Sequence, residues 1–447
     1  MFAGPPPGSQ FAWEAASPSY EVVEDEEGQN GRAVVGHSMV NYQGSLLVWG
    51  GYSHGVGDEI HYRPTNQIYV LPAALTTRSS SFKWIIYNIS DGEPPPPTSG
   101  ACALLLKNSM LIFGGYVRQW DHGVQLQGHT SMLFKLDLDL ERWSTCEPRE
   151  NELIPTPRDK TTGWVHQNRC YFFGGYGPHA NDTENPLLYL RRGGEYFADE
   201  NNEFYWNNQL LVYDSSASMN WTVADVSGSV PSARAASSSA YFADRGYVLL
   251  FGGRHGDVRL CDLYLLDMRT LIWTNVEMIG QPNGRSWCSL TAIDRNSALL
   301  YGGFSTGGLV LSDCWRVDIS VCATKRTMMG RWTRVSCLKE PSPRLWHTAA
   351  FVDGLLFVCG GSDGPLSMPM MNCSKVVRVQ ISPPSLVALC FSALSHHLHD
   401  VSALPYFIRN RFRWLLYLRS QFAVTPPERA NFRSLSLGDI IALCSLR

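Results

Sequence analysis

No stretch of this 447-residue chain approaches the roughly 20 consecutive apolar residues that a membrane-spanning helix needs, so no spanning segment is expected. Charge of a single sign is also missing. Lys and Arg number 37 against 40 Asp and Glu, a formal net charge of -3 with no long basic run. This leaves neither nucleic acid nor an anionic membrane as an expected partner. The twelve cysteines are scattered singly from Cys102 to Cys444. With no CxxC pair there is no zinc or redox signature, and they read as reduced, small apolar residues. Between Met1 and Gln29 there is no apolar core of a secretory signal; Pro5, Pro6 and Pro7 are followed by Glu21, Glu24, Asp25, Glu26 and Glu27. The expected location is cytoplasmic, nuclear or both, and the sequons at Asn88, Asn181, Asn220 and Asn372 read as chance matches.

What is present is a repeat. A glycine pair follows a run of β-branched and aromatic residues six times, at Gly50-Gly51, Gly114-Gly115, Gly174-Gly175, Gly252-Gly253, Gly302-Gly303 and Gly360-Gly361. Each run reads as a buried inner strand that ends abruptly, because two residues without a Cβ let the chain leave through otherwise obstructed backbone angles. A third strand follows, as in NQIYVL from Asn66, NNQLLVYD from Asn207, CDLYLLD from Cys261 and SDCWRVD from Ser312. A tryptophan-bearing strand ends the unit at Trp84, Trp143, Trp221, Trp273 and Trp332. Successive glycine pairs lie 64, 60, 78, 50 and 58 residues apart. This is the period of kelch repeats with inserted loops, and four-stranded units of that length pack radially.

The expected fold is therefore all-β, a six-bladed kelch β-propeller over 31–381. Residues 1–30 read as a flexible acidic, proline-rich segment, 382–418 as a helical tail and 419–447 as a divergent extension. The sixth repeat lacks its tryptophan; Trp13 or a short strand from the amino-terminal segment could complete it. The longest spacing holds an insertion from His179 to Tyr205, and long loops on such folds tend to line the binding surface.

The residue after each glycine pair occupies an equivalent place, so Tyr52, Tyr116, Tyr176, Arg254, Phe304 and Ser362 should ring one mouth of the central channel. The loops that open the units add Lys160 with Trp164, Arg285-Ser286-Trp287 and Arg344-Leu345-Trp346, and Arg259 lies five residues beyond Arg254. An aromatic cup holding a few cations suits a small anionic group on an otherwise apolar ligand. Arg285 and Arg344 are better read as structural, paired with acids within or between units. Arg254 replaces an aromatic at its ring position and is the stronger ligand candidate.

After Ile381 the strand pattern stops. Leu386, Leu389, Cys390, Ala393 and Leu394 follow the spacing of one helical face. Pro405 sits at a plausible first helical position, with Leu404, Ile408 and Phe412 at intervals of four. These apolar faces either dock a partner or fold back on the rest of the chain. The tract from His396 to Asp400 reads as surface histidines, and no metal or other cofactor is expected.

From Gly31 to Phe412 the chain resembles the kelch domain-containing substrate receptors of cullin-2 ubiquitin ligases, in particular those that read carboxyl-terminal glycine degrons. Ser385-Leu386 with Cys390 and Leu394 is similar to a BC box, which implies elongin B and elongin C as partners. Leu404-Pro405 with Ile408 is similar to a cullin-2 box, implying cullin 2, although the stretch after Arg413 departs from the family. FGGRHGDVR followed by GRSW resembles the degron pocket. The resemblance implies that Arg254, Arg259 and Ser286 hold a substrate's terminal carboxylate while Tyr176, Trp206, Trp287 and Lys160 wall the peptide. A Gly-Gly end suits closely set aromatic walls because it carries no Cβ. The expected role is a non-catalytic receptor. The alternative is a kelch scaffold for actin or a signalling partner, without coupling to a ligase. A propeller enzyme would need a metal cluster or paired carboxylates at the mouth, where this sequence offers aromatics and arginines.

Overall fold

The computed structural model describes residues 19–25, 34–54, 59–73, 81–82, 84–121, 124–182, 188–190, 193–217, 220–321, 327–336, 342–364, 373 and 375–383. Leu386, Cys390, Leu394, Leu404, Pro405 and Ile408, with the rest of the expected helical tail from 384 and the extension 419–447, lie outside the described residues.

The described chain is nearly all β. Six times it forms an antiparallel hairpin, crosses a loop, returns as a third strand beside the hairpin and adds a fourth on the outside. In the third unit the order is Thr162–His166, Arg169–Phe173, Leu210–Tyr213 and Trp221–Val223. The run before each glycine pair is thus an inner strand of its sheet, as its burial suggested, and stands second from the centre. In the fifth unit it does not stop at the pair: Ser297–Ser305 continues through Gly302-Gly303, with a register shift between Tyr301 and Gly303.

The first strands of successive units stand side by side, and that of the sixth stands beside that of the first, so the units run round a ring in a propeller-like arrangement. Six apolar clusters fill the spaces between neighbouring sheets. Five of them contain one of the recurring tryptophans. Trp84 packs between the sixth and first units, Trp143 between the first and second, and Trp221, Trp273 and Trp332 continue the series. The cluster between the fifth and sixth units has none, as the missing tryptophan of repeat six requires.

The glycine pairs serve inter-unit packing as well as turning. Gly174 has φ +69°, and a Cβ there would lie 2.5 Å from the Arg234 carbonyl of the next unit; Gly252 meets the Arg285 carbonyl at the same distance. No side chain fits so close to a neighbouring backbone.

The sixth sheet, Thr348–Val352, Leu355–Cys359 and Val376–Gln380, takes its fourth strand from the other end of the chain. Ser19–Asp25 pairs antiparallel with Val376–Gln380, from Ser19 opposite Gln380 to Val23 opposite Val376. Over 19–25 this corrects the expectation of a flexible segment, and it is the short amino-terminal strand that the sequence offered as one way to complete the sixth repeat. An edge strand with free backbone groups offers a pairing surface that outweighs the acidic character of SYEVVED. Trp13 lies outside the described residues.

Candidate functional site

Where each unit opens, one residue turns into the left-handed region: Gly36, Gly100, Lys160, Ala236, Trp287 and Trp346, with φ between +53° and +69°. Their backbones are tied in series. The amides of Gly100, Lys160, Ala236, Trp287 and Trp346 each donate to the carbonyl of the preceding member at 2.8–3.0 Å. This inner ring was not anticipated, although each member stands fourteen to sixteen residues before its glycine pair. Sequence reasoning found the next tier outward. Tyr52, Tyr116, Tyr176, Arg254, Phe304 and Ser362 pair across with Val35, Ser99, Asp159, Ala235, Ser286 and Leu345, the residues just before the inner ring.

Because the inner ring holds glycine on one side and tryptophan on the other, its centre is lopsided. Trp287 and Trp346 stack with centroids 5.4 Å apart and planes 25° apart. The Trp346 ring spreads over the glycines, 3.1 Å from where a Cβ of Gly36 would be.

Above this floor, the insertion of the third unit contributes a small sheet of Tyr176–Gly177, Tyr205–Asn207 and Tyr196–Ala198. The result is a cavity of about 750 Å³. Lys160, Tyr176, Trp206, Arg254, Ser286 and Trp287 all line it, joined by Phe197, Asp199, Glu200, Asp257 and Trp346. Of the seven expected pocket residues, Arg259 alone is not in the lining. It is the cross-strand partner of Arg254 in the hairpin Arg254-His255 and Val258-Arg259.

Arg254 donates from Nε to the Gly256 carbonyl at 2.7 Å, meets Asp257 Oδ1 at 3.4 Å and lies 5.5 Å over the Trp206 ring. Arg259 lies 4.9 Å over Phe304 and donates from Nη1 to the Asp257 carbonyl at 3.2 Å. Burial, and then the neighbouring Arg254 charge, pull its guanidinium below the usual arginine range. Three buried polar atoms here have no hydrogen-bond partner among the described residues: Arg259 Nε, Ser286 Oγ and Trp287 Nε1. Ser286 is 0% exposed. A buried donor without an acceptor costs about 1–3 kcal/mol, which an incoming acceptor would recover.

Lys160 is less free than its type suggested. It forms an ion pair with the buried Asp159, and its ammonium stands 5.8 Å from Tyr176 and 5.6 Å from Trp346. Burial opposes the ionised form of Asp159, but Lys160, with His129 at 3.6 Å, outweighs it and holds the carboxyl below its ordinary range. Tyr176 donates its hydroxyl to Asp199 at 2.8 Å, and burial followed by that carboxylate pushes its phenol upward. Trp206 packs beside it at 4.9 Å.

Trp164 does not belong to the cup. It is buried in the core, stacked 6.0 Å from Tyr171, because its strand position faces the neighbouring sheet. Arg285 is structural, doubly bonded to Asp313 at 2.6 and 3.0 Å and to the Gly302 carbonyl. Among the described residues Arg344 bonds the carbonyls of Gly360 and Lys375, and no acid. Arg158 and Arg234, not singled out from the sequence, complete the set: each donates to the carbonyl of its own unit's first paired glycine.

A family described as the KLHDC2/KLHL20/DRC7 Kelch-repeats domain matches residues 36–192 and 188–379. Kelch domain-containing protein 1 of Mus musculus is 28% identical over 402 residues, 88% of this chain and 87% of its own length. Kelch domain-containing protein 2 of Homo sapiens is 30% identical over 385 residues, 84% of this chain and 88% of its own. The solved structure of YjhT, at 14% identity, superposes with a TM-score of 0.54 over 78% of this chain and 98% of its own, a likeness of propeller-like fold alone. With more than half of the chain matched, this protein belongs to the KLHDC2/KLHL20/DRC7 Kelch-repeats domain family, whose members are generally non-catalytic interaction modules.

Proposed function

We propose that this protein is the substrate-recognition subunit of a cullin-2 ubiquitin ligase, a six-bladed propeller that takes the carboxyl terminus of proteins ending in Gly-Gly. Its helical tail binds elongin B and elongin C through Leu386, Cys390 and Leu394, and cullin 2 through Leu404, Pro405 and Ile408. It performs no chemistry itself.

The observation that carries the pocket reading is an aromatic cavity lined by Arg254 and by the buried Ser286 hydroxyl, which has no partner among the described residues, with Arg259 standing behind the lining as the cross-strand partner of Arg254. Two guanidinium groups set side by side without a buried acid between them form an incomplete arrangement that a carboxylate completes, through charge-assisted hydrogen bonds. Tyr176, Trp206 and Trp287 crowd the approach, which favours a terminal backbone without side chains. Capture of a chain terminus by such a cup is an established mode of peptide recognition.

The test is the affinity for a short peptide ending in Gly-Gly, with a free carboxylate and with an amidated end, by fluorescence polarisation. Loss of two contacts of about 1.5–3 kcal/mol each predicts a fall on the order of 100-fold or more on amidation. Equal binding of both forms would refute the terminal-carboxylate reading. Separately, a Leu386→Ala, Cys390→Ala double variant should fold yet no longer copurify with elongins B and C; retained copurification would refute the tail assignment.

A further inference from the structure

The cavity carries charge of both signs, and the two lie at different depths. Its donors are inner: Ser286 is fully buried, and the Arg254 side chain is 37% exposed. Two of its three acids are outer. Asp257 is 80% exposed, and Glu200 is exposed at the tip of the inserted sheet.

These acids are not equivalent. Asp199 is occupied by the Tyr176 hydroxyl at 2.8 Å and by the amides of Glu203 and Phe204, and so holds the turn together. Asp257 leans on Arg254. Glu200 lines the cavity and, among the described residues, makes neither a hydrogen bond nor an ion pair. Just before it on the same wall is Phe197, 44% exposed, lying against His255 at 4.1 Å and 30°. An exposed aromatic ring beside an uncommitted carboxylate is the chemistry that holds a lysine or arginine side chain. An isolated acid on a loop would say little. Here the same cavity also contains the buried, unpartnered hydroxyl of Ser286, which marks it as built for a ligand.

We infer that Phe197 and Glu200 form a rim subsite for a cationic side chain a few residues upstream of the carboxylate held by the inner donors, and that the same rim rejects an acidic residue there. This inference rests on the reading of the cavity as a terminus reader. An extended chain advances about 3.3–3.6 Å per residue, so a peptide anchored at Arg254 passes the rim within a few residues of its end. Selection then combines attraction for one charge with repulsion of the other.

The experiment uses the full chain and fluorescein-labelled peptides ending in Gly-Gly with a free carboxylate. A single Lys, Ala or Glu is placed in turn at the third through sixth positions from the end. At one of these positions Lys should bind about three- to fivefold tighter than Ala and Glu weaker than Ala, with the difference shrinking in high salt. Glu200→Lys, an exposed substitution, should invert that order while leaving the amidation penalty intact. Charge indifference at all four positions, or an unchanged preference in Glu200→Lys, overturns the subsite. Failure of the terminus reading looks different: the amidated and free peptides would bind alike, whatever the upstream residue.

Discussion

Arg254 and Arg259 face each other as cross-strand partners in a two-stranded hairpin, two cations set side by side within one short loop. Like charges so placed destabilise a sheet, so the pair is kept at a cost to the fold. Replacing either with Gln should lower affinity for a free-carboxylate Gly-Gly peptide by about 10- to 100-fold, one charge-assisted contact's worth. The melting temperature should hold or rise, because repulsion is relieved. Titration calorimetry beside thermal melts checks both arms; a drop in stability with unchanged affinity would make the arginines structural.

Asp257 is the counter-charge already in place. Its carboxylate lies 3.4 Å from Arg254 and is largely exposed, so the contact is weak and easily screened. Asp257→Asn should tighten peptide binding by up to about fivefold at low salt and by little at high salt. A salt series of affinities, wild type against variant, decides it.

The buried arginines should behave in the opposite way. Arg285 is 0% exposed and its partner Asp313 is only 17% exposed. Arg285→Ala strands a carboxylate and should cost about 3–5 kcal/mol, whereas Arg285→Met with Asp313→Leu should cost less because no charge is left behind. Denaturant titrations of the two variants give the comparison.

Acid should unfold this protein through two histidines. His37 and His347 are buried, 5% and 6% exposed, and lowered to about 3. Burial is the main cause for both; Arg63 and His347 add to it for His37, and Arg344 for His347. His37 Nε2 lies 2.6 Å from Thr348 Oγ1, and His347 Nε2 lies 3.0 Å from Ser289 Oγ. Unfolded, each titrates near 6.5. Between about pH 6.5 and 3 the unfolded chain therefore binds more protons than the folded one. Stability falls with falling pH across that window, by up to about 1.4 kcal/mol per pH unit for each histidine. Denaturant midpoints from pH 7 to 4 should show the slope, and His347→Gln should flatten it.

The repeat was legible because its signals are local. Paired glycines meet a backbone approach that excludes a Cβ, and the recurring tryptophans each close an inter-sheet cluster, so both leave a period in the sequence. The pocket was legible in outline for the same reason: Arg254, Ser286 and Trp287 stand at fixed offsets from those glycines. The inner ring was harder to see, because left-handed φ there falls on Lys, Ala and Trp as well as Gly, and residue type does not mark it. Trp164 misled because a tryptophan near the mouth in sequence can face a neighbouring sheet instead. The closing strand was left open because pairing between Ser19–Asp25 and Val376–Gln380 is a long-range event with no local motif.

That closing strand gives a test of how the ring holds together. Ser19–Asp25 supplies the fourth strand of the last sheet, with Ser81–Phe82 pairing parallel to its end, and without it the sheet ends at Val376–Gln380 with an open edge. The cluster behind this sheet, between the fifth and sixth units, is also the one without a recurring tryptophan, so it has the least to spare. Removal of residues 1–26 should lower the melting temperature and produce concentration-dependent association, because an unpaired edge templates further strands. A Val22→Pro substitution should act in the same direction, since proline cannot donate to the ladder. Both effects are read by differential scanning calorimetry and size-exclusion chromatography. If truncated and full-length chains melt and elute alike, the ring is held by its six inter-sheet cores alone and the amino-terminal strand is dispensable.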